Sequence, residues 1–234
     1  MSAPDPAAPH RPEVVVFDVN ETLTDLTPLH EVFNRFGLGD NALAWWFSAL
    51  LRDGFALAAT GDVAPFGELA AIALDEVAGV SGRVLPEGAG ADLIEAFGRV
   101  PIHPDVIPAL ERLRAAEVPA YALTNGGAGL ARTILKSAGV LDAFVDVRSV
   151  DEVNHWKPRP EPYRSLARVA MTPTNRVMMI AVHPWDLHGA ACVGFMTGWV
   201  NRSDRPFPRV FRRPTVESTD LDGVVEQLLA LGDD

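Results

Sequence analysis

Hydrophobic and polar positions divide the chain into three parts. Four consecutive apolar residues at 14–17 predict a short buried strand. Apolar residues then recur at helical spacing and predict four helices at residues 29–36, 42–57, 66–77 and 89–97. From residue 104 onward, helical repeats alternate with short apolar runs. This alternation predicts strands at 119–123, 145–147, 177–182 and 196–200, and helices at 106–115, 129–138, 160–170, from 187 onward, and at 221–231.

This order of elements predicts the fold class. Strands that alternate with helices form a parallel sheet with right-handed crossovers, and the strand at residues 14–17 must join that sheet. The helical stretch is then an insert within the sheet domain. We therefore predict an α/β protein with a Rossmann-like parallel sheet core, formed by residues 1–27 and 101–234, and an inserted all-helical cap domain at residues 28–100.

Composition limits the classes of partner. The 234 residues are 48% hydrophobic and 22% charged, as is usual for globular proteins, and 20 basic against 31 acidic residues give a net charge of −11. This acidic balance predicts no nucleic-acid partner, and no apolar run is long enough to predict a membrane span. The single cysteine, Cys192, is consistent with a cytoplasmic location. We expect a small-molecule substrate, and the apolar cap helices make a homodimer reasonable.

Polar side chains follow three of the predicted strands, and a lysine lies in the loop before a later helix. Because the carboxyl ends of parallel strands lie at one edge of the sheet, these side chains can meet there. Loop residues without a common role would give the same pattern, but the combination favours a site. Its members are Asp18 with Thr22, Thr124 with Asn125, His183 with Asp186, and Lys157.

This set fits nucleophilic catalysis by a carboxylate. Asp18, directly after a buried strand, can attack a substrate and form a covalent ester or acyl-phosphate. The cation of Lys157 can keep Asp18 ionised and oriented. A base must direct water at the covalent intermediate, and either Asp186 or His183 can serve. Donors that can hold a substrate or a departing charge are Thr22, Thr124 and Asn125.

Four segments resemble the motifs of the haloacid dehalogenase superfamily. They are Asp18-Val19-Asn20-Glu21-Thr22-Leu23, Leu123-Thr124-Asn125-Gly126, Lys157-Pro158 and the segment around Asp186. The resemblance covers about residues 13–201 and places the insert where that family has a helical cap. The type II 2-haloacid dehalogenase branch is more similar still, since it shares Ser149-Val150-Asp151, a tyrosine (Tyr163) six residues after the lysine, and Gly198-Trp199-Val200-Asn201-Arg202.

The resemblance implies hydrolytic dehalogenation of small 2-haloacids of the haloacetate type, with no cofactor. Asp18 would displace halide from carbon and become an ester, which water activated by Asp186 would then cleave. Lys157 would orient Asp18, with Tyr163 as a supporting residue. The hydrogen-bonding residues would be Thr22 and Thr124, which hold carboxylates, and Asn125, which faces the halide or the substrate.

Three positions depart from that branch. Its halide-binding arginine falls here within the apolar run 45–50, which contains Phe47, and Arg52 is the nearest arginine. Its fourth motif, Ser-x-Asn-x-x-Asp, here reads Ala181-Val182-His183-Pro184-Trp185-Asp186, and Asn20 replaces a tyrosine. We therefore expect weak dehalogenation or a preference for small substrates such as haloacetates, with the halide received by Asn125, His183, Arg52 or by no residue. The residues expected around the substrate, besides Thr124 and Tyr163, are Asn20, Phe47, Arg52, Asn125, His183 and Trp185.

Two other functions stay open. A phosphatase of the same superfamily would act on a small phosphorylated metabolite with Mg²⁺ and would need a second aspartate two residues after the nucleophile. Asn20 occupies that position and cannot donate a proton as a carboxylic acid does. A non-catalytic binding protein on the same fold would explain the altered fourth motif, but Asp18, Thr22, Lys157 and Asp186 are all retained.

Overall fold

A six-stranded parallel sheet forms the centre of the computed structural model, which describes residues 9–232. The first eight residues of the predicted core domain and residues 233–234 lie outside the described part. The strands are β1 Val14–Phe17, β2 Ala120–Thr124, β3 Phe144–Ser149, β4 Val177–Ala181, β5 Met196–Val200 and β6 Val216–Ser218. Their order across the sheet is β3-β2-β1-β4-β5-β6, and every neighbouring pair is parallel.

Five α-helices come between β1 and the next strand, and the first four of them form the predicted helical insert. These four are α1 His30–Arg35, α2 Ala42–Thr60, α3 Phe66–Val80 and α4 Ala89–Phe97. The insert has its own apolar core, in which Trp46 of α2 is fully buried against Phe33 and Phe97. The indole nitrogen of Trp46 donates to the carbonyl of Ala70 in α3 at 2.8 Å, so the buried donor is satisfied.

Five further helices cover the two faces of the sheet. They are α5 Val106–Ala115, α6 Ala128–Ser137, α7 Pro160–Val169, α8 Pro184–Cys192 and α9 Leu221–Leu229. Every residue of β1, β2 and β4 is buried because apolar side chains of these helices pack on both sides of the sheet. The predicted α/β class with a parallel sheet and an inserted cap is confirmed. Between residues 9 and 232, no helix combines the length and apolarity that crossing a bilayer requires.

The chain enters and leaves the cap through two segments that lie side by side. Thr24 and Ile102 form an antiparallel bridge. The amide of Asp25 donates to the carbonyl of Pro101, and the amide of His103 donates to the carbonyl of Leu23, both at 2.9 Å. The domain boundaries at 27/28 and 100/101 stay predictions; these contacts tie the two connections together close to them.

Three elements differ from the sequence-based expectations. Helix α8 begins at Pro184, three residues before the predicted start at 187, because the fixed φ of proline suits the first turn of a helix. Strand β3 is longer than the predicted run at 145–147, since it extends to Ser149. The short strand β6 lies where the sequence pattern predicts no strand, and it extends the sheet by pairing with β5.

Candidate active site

Asp18 lies at the carboxyl end of the central strand β1. The strands that follow β1 in the chain are added on both sides of it, and such a point in a parallel sheet opens a crevice at the carboxyl edge. The amide of Asp18 donates to the carbonyl of Ile180 on β4 at 3.0 Å, and the residue is 4% exposed. The predicted nucleophile is therefore fixed at the floor of this crevice.

Lys157 bridges two carboxylates at this edge. Its Nζ donates to Oδ1 of Asp18 at 2.9 Å, to Oδ2 of Asp186 at 2.6 Å and to the carbonyl of Leu123 at 2.8 Å. The lysine is fully buried, and these three acceptors take all three ammonium hydrogens. The structure thus brings together the nucleophile, its predicted cation and the predicted base.

Burial and charge give the two carboxylates different proton affinities. Burial raises the pKa of Asp18, but the charges of Lys157 and His183 and hydrogen bonds from Lys157 and Thr22 outweigh burial, so this pKa lies below its usual value. Burial raises the pKa of Asp186. The positive charge of Lys157 lowers this pKa and the negative charge of Asp18 raises it, and the net result is a pKa above the usual value. Burial lowers the pKa of Lys157, but the two carboxylates raise it above its usual value. Asp186 is therefore the more basic of the two carboxylates.

Thr22 holds the second oxygen of the nucleophile. Its hydroxyl donates to Oδ2 of Asp18 at 2.7 Å and accepts from the amide of Val182 at 3.1 Å. Arg202 fixes the same loop by donating to the carbonyl of Thr22 at 2.9 Å and to the carboxylate of Asp105 at 2.7 and 3.2 Å. Both carboxylate oxygens of Asp18 are thus held in place, as catalysis by a positioned nucleophile requires.

The cluster after β2 supports Lys157. Oδ1 of Asn125 accepts from the amide of Lys157 at 2.8 Å, and Nδ2 of Asn125 donates to the carbonyl of Lys157 at 3.3 Å. Thr124 accepts from the amide of Gly126 at 2.9 Å. Neither Thr124 nor Asn125 lines the cavity above the nucleophile. Asp18 itself does not line this cavity either, so the contact of Asn125 with the halide or the substrate stays a prediction, while its amide orients the backbone of Lys157.

Tyr163 supports Asp186 from the side opposite Lys157. Its hydroxyl donates to Oδ1 of Asp186 at 2.6 Å and lies 3.2 Å from the carbonyl of the same residue. Burial, followed by the charge of Asp186, raises the pKa of Tyr163 well above 10, so the phenol keeps its proton. Both carboxylate oxygens of Asp186 therefore accept a hydrogen bond.

A cavity of about 580 Å³ lies between helix α2 of the cap and this edge of the sheet. Phe47 of α2 lines it on the cap side, and His183 and Trp185 line it on the sheet side. These three residues are among those predicted to surround a substrate. Glu21 of the nucleophile loop also lines the cavity and has a φ of +61°, a conformation that glycine adopts more readily.

His183 is the cavity residue that approaches the nucleophile. Its Nε2 lies 3.2 Å from the carbonyl of Asn20, 3.7 Å from Oδ2 of Asp18 and 3.5 Å from Oε2 of Glu21. Because a carbonyl oxygen only accepts, we assign a hydrogen to Nε2. The imidazole stacks on Trp185 with ring centroids 5.1 Å apart. Asn20 thus takes part in the site through its backbone carbonyl.

Comparison with protein-family models decides the family. Residues 12–194 match the model of the haloacid dehalogenase-like hydrolases. The chain belongs to this family. The matched residues include Asp18, Thr22, Lys157 and Asp186, which the structure assembles at the sheet edge.

Several individual proteins are similar to this haloacid dehalogenase-like hydrolase over most of their length. The (S)-2-haloacid dehalogenase 2 of Pseudomonas sp. (strain CBS-3) is 27% identical over 210 residues, which are 89% of this chain and 92% of that protein. Haloacetate dehalogenase H-2 of Moraxella sp. (strain B) is 25% identical over 215 residues, 91% of this chain and 96% of the relative.

Solved structures of L-2-haloacid dehalogenases share the fold. One superposes with a TM-score of 0.89 at 25% sequence identity and covers 95% of this chain and 100% of its own. The L-2-haloacid dehalogenase of Xanthobacter autotrophicus, with chloropropionic acid covalently bound, superposes with a TM-score of 0.85 at 23% identity. The superposition covers 93% of this chain and 98% of that enzyme. The sheet and the helical cap therefore have the arrangement found in these proteins.

In this member of the family, Arg52 does not reach the cavity. Its side chain is 55% exposed and forms ion pairs with Asp53 at 2.8 Å and Glu76 at 2.6 Å. Phe47 of the same helix faces the cavity, and five residues turn an α-helix by roughly 140°. The expectation that Arg52 replaces the halide-binding arginine is therefore wrong, because Arg52 lies on another side of α2.

Two functional contacts were not predicted by the sequence reasoning. The pair Asp105 and Arg202 holds the nucleophile loop, and the only sequence signal for it is Arg202 at the end of the Gly198–Arg202 motif. Arg205 lines the cavity from the loop after β5. Its neighbours are Pro- and Arg-rich, which predicts an exposed loop but not the direction of one side chain.

Proposed function

We propose that this enzyme hydrolyses the carbon–halogen bond of small 2-haloacids through an ester on Asp18. The observation that carries the proposal is the ion-paired array in which Nζ of Lys157 holds Asp18 and Asp186 at 2.9 and 2.6 Å beside a cavity of mixed polar and apolar lining. The haloacid dehalogenases among the relatives, and haloacetate dehalogenase H-2, support the choice of substrate.

In the first step, a carboxylate oxygen of Asp18 attacks the carbon that bears the halogen. Oδ2 faces His183, which lines the cavity, whereas Oδ1 is bonded to Lys157. The new carbon–oxygen bond forms as the carbon–halogen bond breaks, and the halide leaves with the bonding electrons. The lowered pKa of Asp18 keeps the attacking group ionised at neutral pH.

In the second step, water attacks the carbonyl carbon of the aspartyl ester. Asp186 accepts a proton from that water, directly or through its hydrogen-bonded neighbours, and its raised pKa suits this role. The bond between that carbonyl carbon and the substrate oxygen then breaks, the departing oxygen takes up the proton that Asp186 accepted to give a 2-hydroxyacid, and the second proton of the water is released as the carboxylate of Asp18 is restored. Lys157 stays bonded to Asp186 while Asp18 is esterified, so the buried cation keeps a negative partner.

We also propose that the reaction needs no metal ion. A phosphatase of this family would hold Mg²⁺ through Asp18, Asp186 and the carbonyl of Asn20. Here Lys157 occupies an oxygen of each carboxylate and His183 donates to the carbonyl, so these residues do not fit Mg²⁺. The described residues also contain no cluster of three His, Cys, Asp or Glu side chains that could hold a metal.

Release of halide and of phosphate from a substrate panel, with and without Mg²⁺, tests the proposal. We expect halide from chloroacetate, bromoacetate and 2-chloropropionate, and mass spectrometry should find a transient adduct on the peptide that contains Asp18. Asp18→Asn should abolish turnover while leaving the fold intact. Phosphate release that depends on Mg²⁺ would favour a phosphatase, and turnover of neither class would favour a binding protein.

The cytoplasmic location and the homodimer stay predictions. A free, exposed Cys192 supports a reducing compartment. Trp45 and Ile72, 39% and 48% exposed on the cap helices, support association of the cap with a second copy. Light scattering on the purified protein measures the oligomeric state.

A further inference from the structure

The loop after β5 brings a second cation to the cavity. Of the two arginines that line the cavity, Arg202 is bonded to Asp105 and to the carbonyl of Thr22. Arg205 has an exposed side chain at the cavity mouth. Arg205 is therefore the arginine of the cavity wall that is free to meet a ligand.

The guanidinium of Arg205 has no hydrogen bond or ion pair to any residue in the range 9–232. Two other arginines near the cavity are paired, Arg52 with Glu76 and Arg159 with Glu161. A guanidinium presents five donors in a fixed fork that matches the two oxygens of a carboxylate. An unpaired guanidinium at the mouth of a cavity is therefore suited to an anionic group of a ligand.

The backbone of Arg205 is fixed although its side chain is not. The side chain of Asn201 donates to the carbonyl of Arg205 at 2.9 Å and accepts from its amide at 3.0 Å. Asn201 is buried and also donates to Glu217 on β6 at 3.2 Å, so the loop is attached to the edge of the sheet. This attachment aims Arg205 at the cavity with little freedom in its main chain.

Arg205 is not among the residues that surround the carboxylate of Asp18, which are Lys157, Thr22 and His183. Asp18 is buried at the floor, Nε2 of His183 lies 3.7 Å from Oδ2 of Asp18, and Glu21 lies a further 3.5 Å from that nitrogen. Burial raises the pKa of Glu21, while the charges of His183 and Arg205 lower it, which places Arg205 within electrostatic range of Glu21. Arg205 also borders a second, apolar cavity on the outer side of Trp185. It therefore meets the end of a substrate that is distant from the attacked carbon.

We propose that the enzyme also accepts 2-haloacids whose carbon chain ends in a second acidic group, and that Arg205 binds this distal carboxylate at the cavity mouth. The inference rests on the proposed function and extends its substrate class. A volume of about 580 Å³ lies within the range of pockets that enclose ligands much larger than a two-carbon acid. The chemical step is unchanged: Asp18 attacks carbon 2 and halide leaves.

The test compares two acids of equal length, 2-chloroadipate with a distal carboxylate and 2-chlorohexanoate with a distal methyl group. We expect Arg205→Gln to raise the KM for 2-chloroadipate about tenfold, with kcat nearly unchanged, and to leave 2-chlorohexanoate unaffected. Arg205→Lys should restore much of the difference. Arg209→Gln is the matched control, because Arg209 lies exposed in the same loop and does not line the cavity.

Equal effects of Arg205→Gln on both acids, or no effect on either, would overturn the inference. Equal effects would place Arg205 on the carboxylate next to the halogen or give it a structural role. Calorimetric binding of adipate, which has no halogen, measures the same contact without turnover. If Arg205→Gln loses affinity for adipate and Arg209→Gln does not, the distal site is supported even if the protein releases no halide. Unchanged affinity in Arg205→Gln would contradict the distal site.

Discussion

The rings of Phe47 and His183 lie stacked, with centroids 6.0 Å apart and planes inclined by 28°. Phe47 comes from helix α2 of the cap and His183 from the turn between β4 and α8, so this contact joins the two sides of the cavity. In the branch that the sequence resembles, the cap supplies an arginine for the departing halide. Here the cap supplies an aromatic ring, and the polar cavity residue beside the nucleophile is His183, whose Nε2 lies 3.7 Å from Oδ2 of Asp18.

We expect His183→Ala to lower kcat/KM for haloacids by roughly 10²–10³, as the loss of one fixed donor to a developing charge does elsewhere. Arg52→Ala is the matched control, because Arg52 lies on the same cap helix as Phe47 but points to solvent. Its rate should stay within about twofold of the wild type. Initial rates of halide release measure both. A severe loss in Arg52→Ala with a silent His183→Ala would reverse this assignment.

Lys157→Met should slow the reaction and move the acid limb of the pH profile upward. The pKa of Asp18 lies below its usual value because Lys157 and His183 oppose burial; without Lys157, burial dominates and Asp18 becomes protonated at higher pH. Removing one partner of a buried ion pair also costs about 3–5 kcal/mol, so thermal denaturation should accompany the kinetics. If the variant is folded and its acid limb does not move, a group other than Lys157 keeps the pKa of Asp18 low.

Tyr163→Phe should affect the second step more than the first. The hydroxyl donates to Oδ1 of Asp186 and does not touch Asp18, so ester formation should continue while ester hydrolysis slows. Loss of this bond leaves a buried acceptor unpaired and raises the pKa of Asp186 further. Rapid quenching followed by mass spectrometry should find more of the Asp18 adduct than in the wild type. Less adduct, at an equally reduced rate, would assign Tyr163 to the first step.

Gly54→Ala should loosen the contact between the cap and the core. A Cβ on Gly54 of α2 would overlap the indole ring of Trp156, so one of the two must move. We expect a lower melting temperature and lower kcat/KM. Gly67→Ala in α3 is the control, because nothing lies within 4 Å of the added Cβ and alanine is the better helix former by up to about 1 kcal/mol. If Gly54→Ala is as stable as Gly67→Ala, helix α2 does not pack as closely on the indole of Trp156 as the structure indicates.

The residues at the strand ends were predictable because a parallel sheet collects them at one edge. An apolar run followed by Asp18, and another followed by His183 and Asp186, needs only the rule for parallel strands to bring these groups together. Whether Asn125 met a ligand or a backbone could not be predicted in this way. Its amide can satisfy either, and the neighbour that decides, Lys157, lies 32 residues away in the chain.

Which side of helix α2 faces the cavity could be predicted only in part. The helix is apolar over most of its surface, so the hydrophobic pattern does not indicate which side faces the cavity. The angle between Phe47 and Arg52 follows from helix geometry, and it excludes that both face the same cavity. The choice between them needed Glu76, which binds Arg52 from the next helix.

Trp156 and Lys157 are adjacent in the chain but belong to different contacts. The indole of Trp156 packs into the cap and donates to the carbonyl of Ala64 at 3.2 Å, while the next residue holds Asp18. A cap that lifts to admit a substrate must therefore either release Trp156 or carry the backbone of Lys157 with it. Two successive residues of one segment thus serve the cap and the nucleophile, so the position of the cap and the position of Asp18 depend on the same stretch of backbone.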